Sequence, residues 1–318
     1  LRAALRWCID QGEITLGLRL GAALAPYWDP RGLYTEGFNW LRELLALDAS
    51  AEAGEVYLRA RARALQVAAL YSFWKGEMEL AEALVAESLG LSRACGDERS
   101  EARALMTLGN VVGIGLGLPR AAIPCYQEAL TIQLRLDNQH GVGITYYNLG
   151  LVTLIDGDYE RSEACFKRAI KVFTTLSSDS WLRHIMPYHA APILLAGDPE
   201  RAARMLAPVL VWDTAADELT LLALAQTLLV AAILAGMSRS SLVAARLVGM
   251  VDAITEEAGV AIEKRGDCRL LHTRAAALAL SLLSEDTFAA ARAEGRAMLI
   301  DQARHEARAV VNALLTRV

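Results

Sequence analysis

"GDYERSEACFKRAI", residues 157–170, is the stretch that decides the fold. It opens on Gly157 and Asp158. A small residue follows five positions after the glycine (Ser162), an apolar one nine after (Phe166) and another twelve after (Ala169). Spacings of four and then three put these side chains on one face of a helix. The same frame recurs along the chain. "GEMELAEALVAESL" starts at Gly76 and places Ala81, Val85 and Ser88; "GLPRAAIPCYQEAL" starts at Gly117 and places Ala122, Tyr126 and Ala129. "GDPERAARMLAPVL" from Gly197 gives Ala202, Leu206 and Val209, and "GMSRSSLVAARLVG" from Gly236 gives Ser241, Ala245 and Val248. "GLYTEGFNWLRELL" from Gly32 gives Gly37, Leu41 and Leu44, so the spacing between glycines settles from 44 to 39 residues.

Each part of the frame has a physical use. The glycine ends a first helix, where the chain needs a left-handed residue. The acidic residue that follows several of these glycines suits the start of a second helix. The small residue lets two helix backbones approach, and the apolar ones fill the seam. Apolar stretches upstream, such as "GITYYNLGLVTLI" (143–155), predict the first helices. One such hairpin cannot bury its apolar face alone, and stacked hairpins can. The expected fold is all-α.

Composition agrees. The chain of 318 residues is 54% hydrophobic and 22% charged, which suits a large buried core and not a disordered tail. Aromatic residues make up only 6%, and the abundant alanine and leucine favour helix. Net charge is −5, with four lysines against 28 arginines that read as scattered, so no basic stripe for nucleic acid is expected. The five cysteines (Cys8, Cys95, Cys125, Cys165, Cys268) form no C-x-x-C pair and read as buried thiols of a reducing, cytoplasmic setting. The chain begins without Met, at "LRAALRWCID", and reads as a fragment of a longer protein. Residues 219–237 carry no charge, but Thr220, Gln226 and Thr227 interrupt them and the repeat requires a buried helix there; a membrane span is not expected.

"YYNLGLVTLIDGDYERSEACFKRAI" resembles a tetratricopeptide repeat. Tyr146 stands at its early aromatic position, Leu149-Gly150 at its Leu-Gly pair, Gly157-Asp158-Tyr159 at its turn, and Ser162, Phe166 and Ala169 at its Ala, aromatic and Ala positions. The period near 40 exceeds the usual 34, and the closing proline is absent. The resemblance implies a right-handed α-solenoid. Residues 1–47, through Trp7, Gly17, Trp28, Gly37 and Trp40 among others, are similar to the segment that follows the nucleotide-binding and winged-helix parts of bacterial AfsR-like and LuxR-type ATPase regulators. "SEDTFAAARAEGRAMLIDQA" (284–303) is similar to their closing segment, best at Phe288, Gly295 and Arg296. The expected organisation is a repeat array over 1–260, with a softer boundary near 177–181, and capping helices over 261–318 continuous with it.

Motifs for chemistry are missing. "GNVVGIGLGLPR" (109–120) lacks the Gly-Lys-Ser/Thr ending of a phosphate loop and reads as a loosened helix end with its turn. His184 and His189 are five apart, which points them to different sides of a helix, and Pro187 between them is a helix breaker. No G-x-S-x-G or H-E-x-x-H occurs. No catalytic residue, metal or cofactor is expected. The resemblance locates function on the first helices, and their inner-face positions select Gln66, Trp74, Asn110, Tyr147, Asn148, His184, Tyr188 and Gln226 as a groove for a protein or peptide segment, or for a small-molecule effector. It implies a non-catalytic interaction and effector-sensing domain of a multidomain transcriptional regulator with an upstream nucleotide-binding domain. Neither direct nucleic-acid binding nor membrane contact is expected. The competing readings are a constitutive protein-binding scaffold and the regulatory arm of a fused Ser/Thr kinase or nucleotide cyclase.

Overall fold

The computed structural model describes residues 1–28, 33–47, 54–211, 218–257 and 265–316, with the backbone alone for 218–222. Among these the chain is helical, with no strand, and forms the all-α solenoid that the repeat predicts. It divides into two compact units, Leu1–Asn148 and Leu149–Val318. The expected boundary at 260/261 lies outside the described residues, as do Gly32 and the proposed first turn.

The first unit begins with α1 (Arg2–Gln11), α2 (Ile14–Ala23), the short α3 (Ala25–Trp28) and α4 (Tyr34–Leu45). The hairpin of α5 (Glu55–Trp74) and α6 (Met78–Ala94) follows. Next, α7 (Glu98–Gly109) runs on as a π-helical turn over Asn110–Gly115 before α8 (Pro119–Arg135). The glycine-rich stretch is therefore a loosened helix end, as its sequence suggests. Helix α2 packs on α4 and α5, α5 on α6 and α7, and α7 on α8. The division between the units falls within α9 (Gln139–Asp156).

The second unit continues with α10 (Tyr159–Thr175), α11 (Asp179–Leu195) and α12 (Pro199–Leu206). A 3₁₀ turn at Val209–Val211 precedes α13 (Glu218–Met237), α14 (Ser241–Glu257), α15 (Gly266–Leu280), α16 (Glu285–Arg296) and α17 (Ile300–Leu315). Pro187 and Pro192 both lie inside α11, which they do not end. Helix α13 packs against α11, α14 and α15, and α17 folds back onto α12, α13 and α14. Every residue from Ala223 to Ala235 is buried, so the uncharged stretch is a core helix. Among the described residues no helix is long and apolar enough to cross a membrane.

The frame read from 157–170 holds in detail. Ala81, Val85, Ser88, Ala122, Tyr126, Ala129, Ser162, Phe166 and Ala169 are all fully buried. Gly76, Gly117, Gly157 and Gly197 turn the chain with left-handed backbone, φ from 70° to 96°. After them, Asp158 and Asp198 cap the next helix, each accepting from a backbone N–H three residues on. The last frame departs from this. Gly236 stays helical within α13, and the left-handed residue is Arg239, φ 61°. A Cβ on Gly236 would stand 2.7 Å from Leu278 Cβ of α15, so this glycine serves a close helix approach and not a turn.

Within a hairpin, first and second helices match by volume. Gly150 faces the Phe166 ring, where a Cβ would come within 2.7 Å of Cε1. Gly150→Ala is expected to cost about 1–3 kcal/mol by overpacking. Adding Phe166→Leu should return part of that loss in urea unfolding; two losses that simply add would contradict this pairing.

Candidate functional site

The eight residues selected for the groove are mostly interior. In the first unit, Gln66 on α5 is 6% exposed and ties α5 to α7: its Nε2 donates to Thr107 Oγ1 at 2.9 Å, and its Oε1 accepts from Arg63 at 2.6 Å. Tyr147 and Asn148 on α9 are buried. Trp74 is half-buried and stacks on Tyr34, ring centres 5.8 Å apart. Asn110, also half-buried, accepts from the Tyr126 hydroxyl at 2.7 Å in the π-helical turn. Trp74 and Asn110 thus keep surface for a ligand, while Gln66, Tyr147 and Asn148 lie in the seams.

In the second unit, His184 and Tyr188 sit one turn apart on α11, ring centres 5.4 Å apart, with Trp181 edge-on to His184 and stacked on Phe173. Gln226 of α13 is fully buried and its Nε2 lies 3.4 Å from both Asp267 Oδ2 and Cys268 Sγ. Arg265 and Asp267 form a buried ion pair at 2.8 Å at the start of α15. Burial opposes the Arg265 charge, but Asp267, with Cys268 and Tyr188, outweighs it and raises its pKa well above the ordinary value. The structure therefore brings Tyr188 and Gln226 around one buried charge pair, a feature that the sequence did not signal. Cys268 is pushed up to about 12, by burial first and Asp267 second, and so stays a thiol.

The two histidines of α11 are both buried. No three His, Cys, Asp or Glu side chains converge for a metal among the described residues. Desolvation pushes the His189 imidazole down to about 4; Glu163 opposes this, while Lys167 and Arg201 add to it. His189 is thus neutral when folded and protonated when unfolded below about 6.5. The unfolded state then binds the extra proton, so stability falls as pH drops from about 6.5 towards 4, by up to about 3 kcal/mol. Chemical denaturation of His189→Phe across this range should show a flatter pH profile than the parent; an unchanged slope would contradict the burial argument.

A second feature lies on the open side of the first helices of unit one. Arg19, Arg59 and Arg99 recur at intervals of 40 residues, and so do Arg63 and Arg103. The repeat places them at equivalent positions of α2, α5 and α7, and all five line one cavity of about 530 Å³ together with Asp97. Arg19, Arg59, Arg99 and Arg103 are exposed and Arg63 is half-buried. The cavity wall between them is short and apolar: Ala22, Ala23, Pro26, Val56 and Ala60. Arg59 pairs with Glu55 on its own helix, and Asp97 is occupied by the Ser100 hydroxyl and backbone N–H. Among the described residues no carboxylate pairs with Arg19, Arg99 or Arg103. Desolvation lowers the Arg103 pKa, Asp97 opposes the shift, and the like charge of Arg99 adds to it. The arginines of this unit are therefore not scattered. Their signal was present as the 40-residue interval, which a residue count hides.

These hairpins define a helical-repeat protein with an arginine-lined cavity on the first helices of one unit. Residues 114–175, from the π-helical turn to the end of α10, match the tetratricopeptide repeat family. Proteins of Mycobacterium tuberculosis H37Rv and Mycobacterium bovis, named as predicted HTH-type transcriptional regulators, are 28% identical over 209 residues. That is 64% of this chain but 23% of each relative, so the match covers less than a quarter of the curated proteins' length. Among solved structures, a Rap protein complexed with competence and sporulation factor is similar over 96% of this chain and 76% of its own, at 13% identity and a TM-score of 0.55. BtubC from P. vanneervenii is similar over 67% of this chain and 92% of its own, at 19% identity and a TM-score of 0.51. At such identities the likeness shows the fold.

Proposed function

We propose that the chain is a non-catalytic interaction and effector-sensing domain of a multidomain transcriptional regulator of the AfsR-like or LuxR-type ATPase class, working in the cytoplasm. The match of 114–175 to a tetratricopeptide repeat and the regulators that share 28% identity support this. So does the likeness to a Rap protein seen in complex with a factor. One observation carries the reading: recognition-grade side chains repeat at equivalent positions of successive first helices, whereas the buried titratable groups described above are enclosed in the packing. A ligand on that face acts by favouring one of two states of the attached domains, which requires different affinity for the two.

The test uses the full-length protein that contains this chain. Peptides and metabolites are screened by thermal shift, and each stabilising ligand is then added while promoter occupancy and nucleotide hydrolysis are measured. A ligand that changes both supports sensing. Stabilisation with neither output changed, beside constitutive capture of a partner, would replace sensing with a scaffold role.

A further inference from the structure

The net charge of −5 gives no reason for five arginines to meet, so the convergence on α2, α5 and α7 needs a local cause. Like charges in one cavity repel, and they persist where an anion compensates them. A guanidinium binds carboxylate or phosphate with two parallel hydrogen bonds. The wall decides between these anions. It offers alanine, valine and proline surface, and no aromatic ring on which a nucleobase could stack. It suits the methylene and methyl groups of a peptide. The volume of about 530 Å³ falls in the usual range for ligand sites.

The ladder also sets a spacing. Helices α2 and α5 pack on one another, as do α5 and α7. Packed helix axes stand about 8–10 Å apart, and an extended chain advances about 3.3 Å per residue. A side chain every third residue therefore meets the next helix. We propose that Arg19, Arg59 and Arg99, assisted by Arg63 and Arg103, form the docking site for an extended acidic peptide segment whose carboxylates recur about every three residues. This names the ligand class for the interaction-domain reading above and rests on it.

The test is fluorescence anisotropy on the whole chain with a labelled probe, Glu-Ala-Ala-Glu-Ala-Ala-Glu, and its glutamine counterpart. The acidic probe is expected to bind at least tenfold more tightly than the neutral one, and to weaken as salt rises. Arg19→Gln/Arg99→Gln, both exposed, should lower affinity at least tenfold and flatten the salt dependence. Arg274→Gln, an exposed arginine of the other unit, should leave both unchanged. The melting temperature of each variant separates lost binding from lost folding. Equal binding of the two probes, no binding by the parent chain, or unchanged affinity in the double variant would overturn the proposal. So would inorganic pyrophosphate or single-stranded oligonucleotide displacing the peptide and binding more tightly through the same arginines. The two readings fail separately: a ligand from the thermal-shift screen that still binds the double variant preserves the interaction domain while the arginine site falls.

Discussion

Gly295→Ala is expected to lower the melting temperature of the second unit by about 10 °C, the largest loss from any single methyl group in this chain. Helices α14 and α16 cross through two glycines. A Cβ on Gly295 would stand 1.9 Å from the carbonyl oxygen of Arg246, and one on Gly249 would stand 2.0 Å from that of Arg292. Both obstacles are backbone, so no rotamer change relieves them, and the helices must separate. Separation would stretch the Arg292–Asp252 pair at 2.6 Å and the Arg296–Glu256 pair, which link the same two helices on either side of the crossing. Overpacking of a core costs about 1–3 kcal/mol where side chains can yield. Here they cannot, and about 3 kcal/mol or more is expected, at about 2–4 °C each for a unit of this size. Gly249→Ala should cost as much, and the double variant less than the sum, because both methyl groups open one crossing. Gly90→Ala is the opposite control. It lies within α6 with nothing within 4 Å of its would-be Cβ, so alanine should stabilise by about 0.5–1 kcal/mol. Calorimetry of the three variants decides; a Gly295→Ala chain melting within 2 °C of the parent would refute the crossing.

The glycines show what the sequence could and could not convey. At Gly157 the residue, its position after an apolar run and the aspartate behind it agree on a turn, and the backbone is left-handed there. Gly236 has the same surroundings in sequence but is helical, since its lack of a Cβ serves α15, more than 40 residues away. Periodicity cannot separate these two uses of glycine, because the second depends on a partner distant along the chain. Seam positions were legible throughout, since Ala81, Tyr126, Phe166 and Ala202 owe their burial to the hairpin itself. Groove positions were less so. A polar side chain on a first helix meets either a ligand or the neighbouring helix, and Gln66 meets Thr107. The arginine ladder was written in the sequence at a fixed interval, yet needed the packing of α2 against α5 and α5 against α7 to become one cavity.

Asp267→Ala is the second large effect, and its logic is electrostatic. Asp267 has no exposed surface, and the Arg265 side chain is 8% exposed. Removing the carboxylate leaves a guanidinium that burial disfavours, with its strongest partner gone and Gln226 Nε2 deprived of an acceptor. Breaking a buried pair from one side costs about 3–5 kcal/mol, chiefly as the desolvation of the charge left behind. Arg265→Met alone should cost a similar amount, since it strands the carboxylate against a neutral thiol and an amide. Replacing both, as Arg265→Met/Asp267→Leu, removes the desolvation cost along with the attraction, and apolar substitutes of similar volume are often neutral. The double variant is therefore expected to be more stable than either single one, with a coupling energy of at least about 2 kcal/mol in guanidinium unfolding. Losses that add would mean that the two groups are solvated independently. The same cycle bears on the groove, because Tyr188 and Gln226 surround this pair. If they meet a ligand, the double variant should keep the fold and lose the thermal shift; if they only pack, a ligand bound elsewhere should stabilise it as it does the parent.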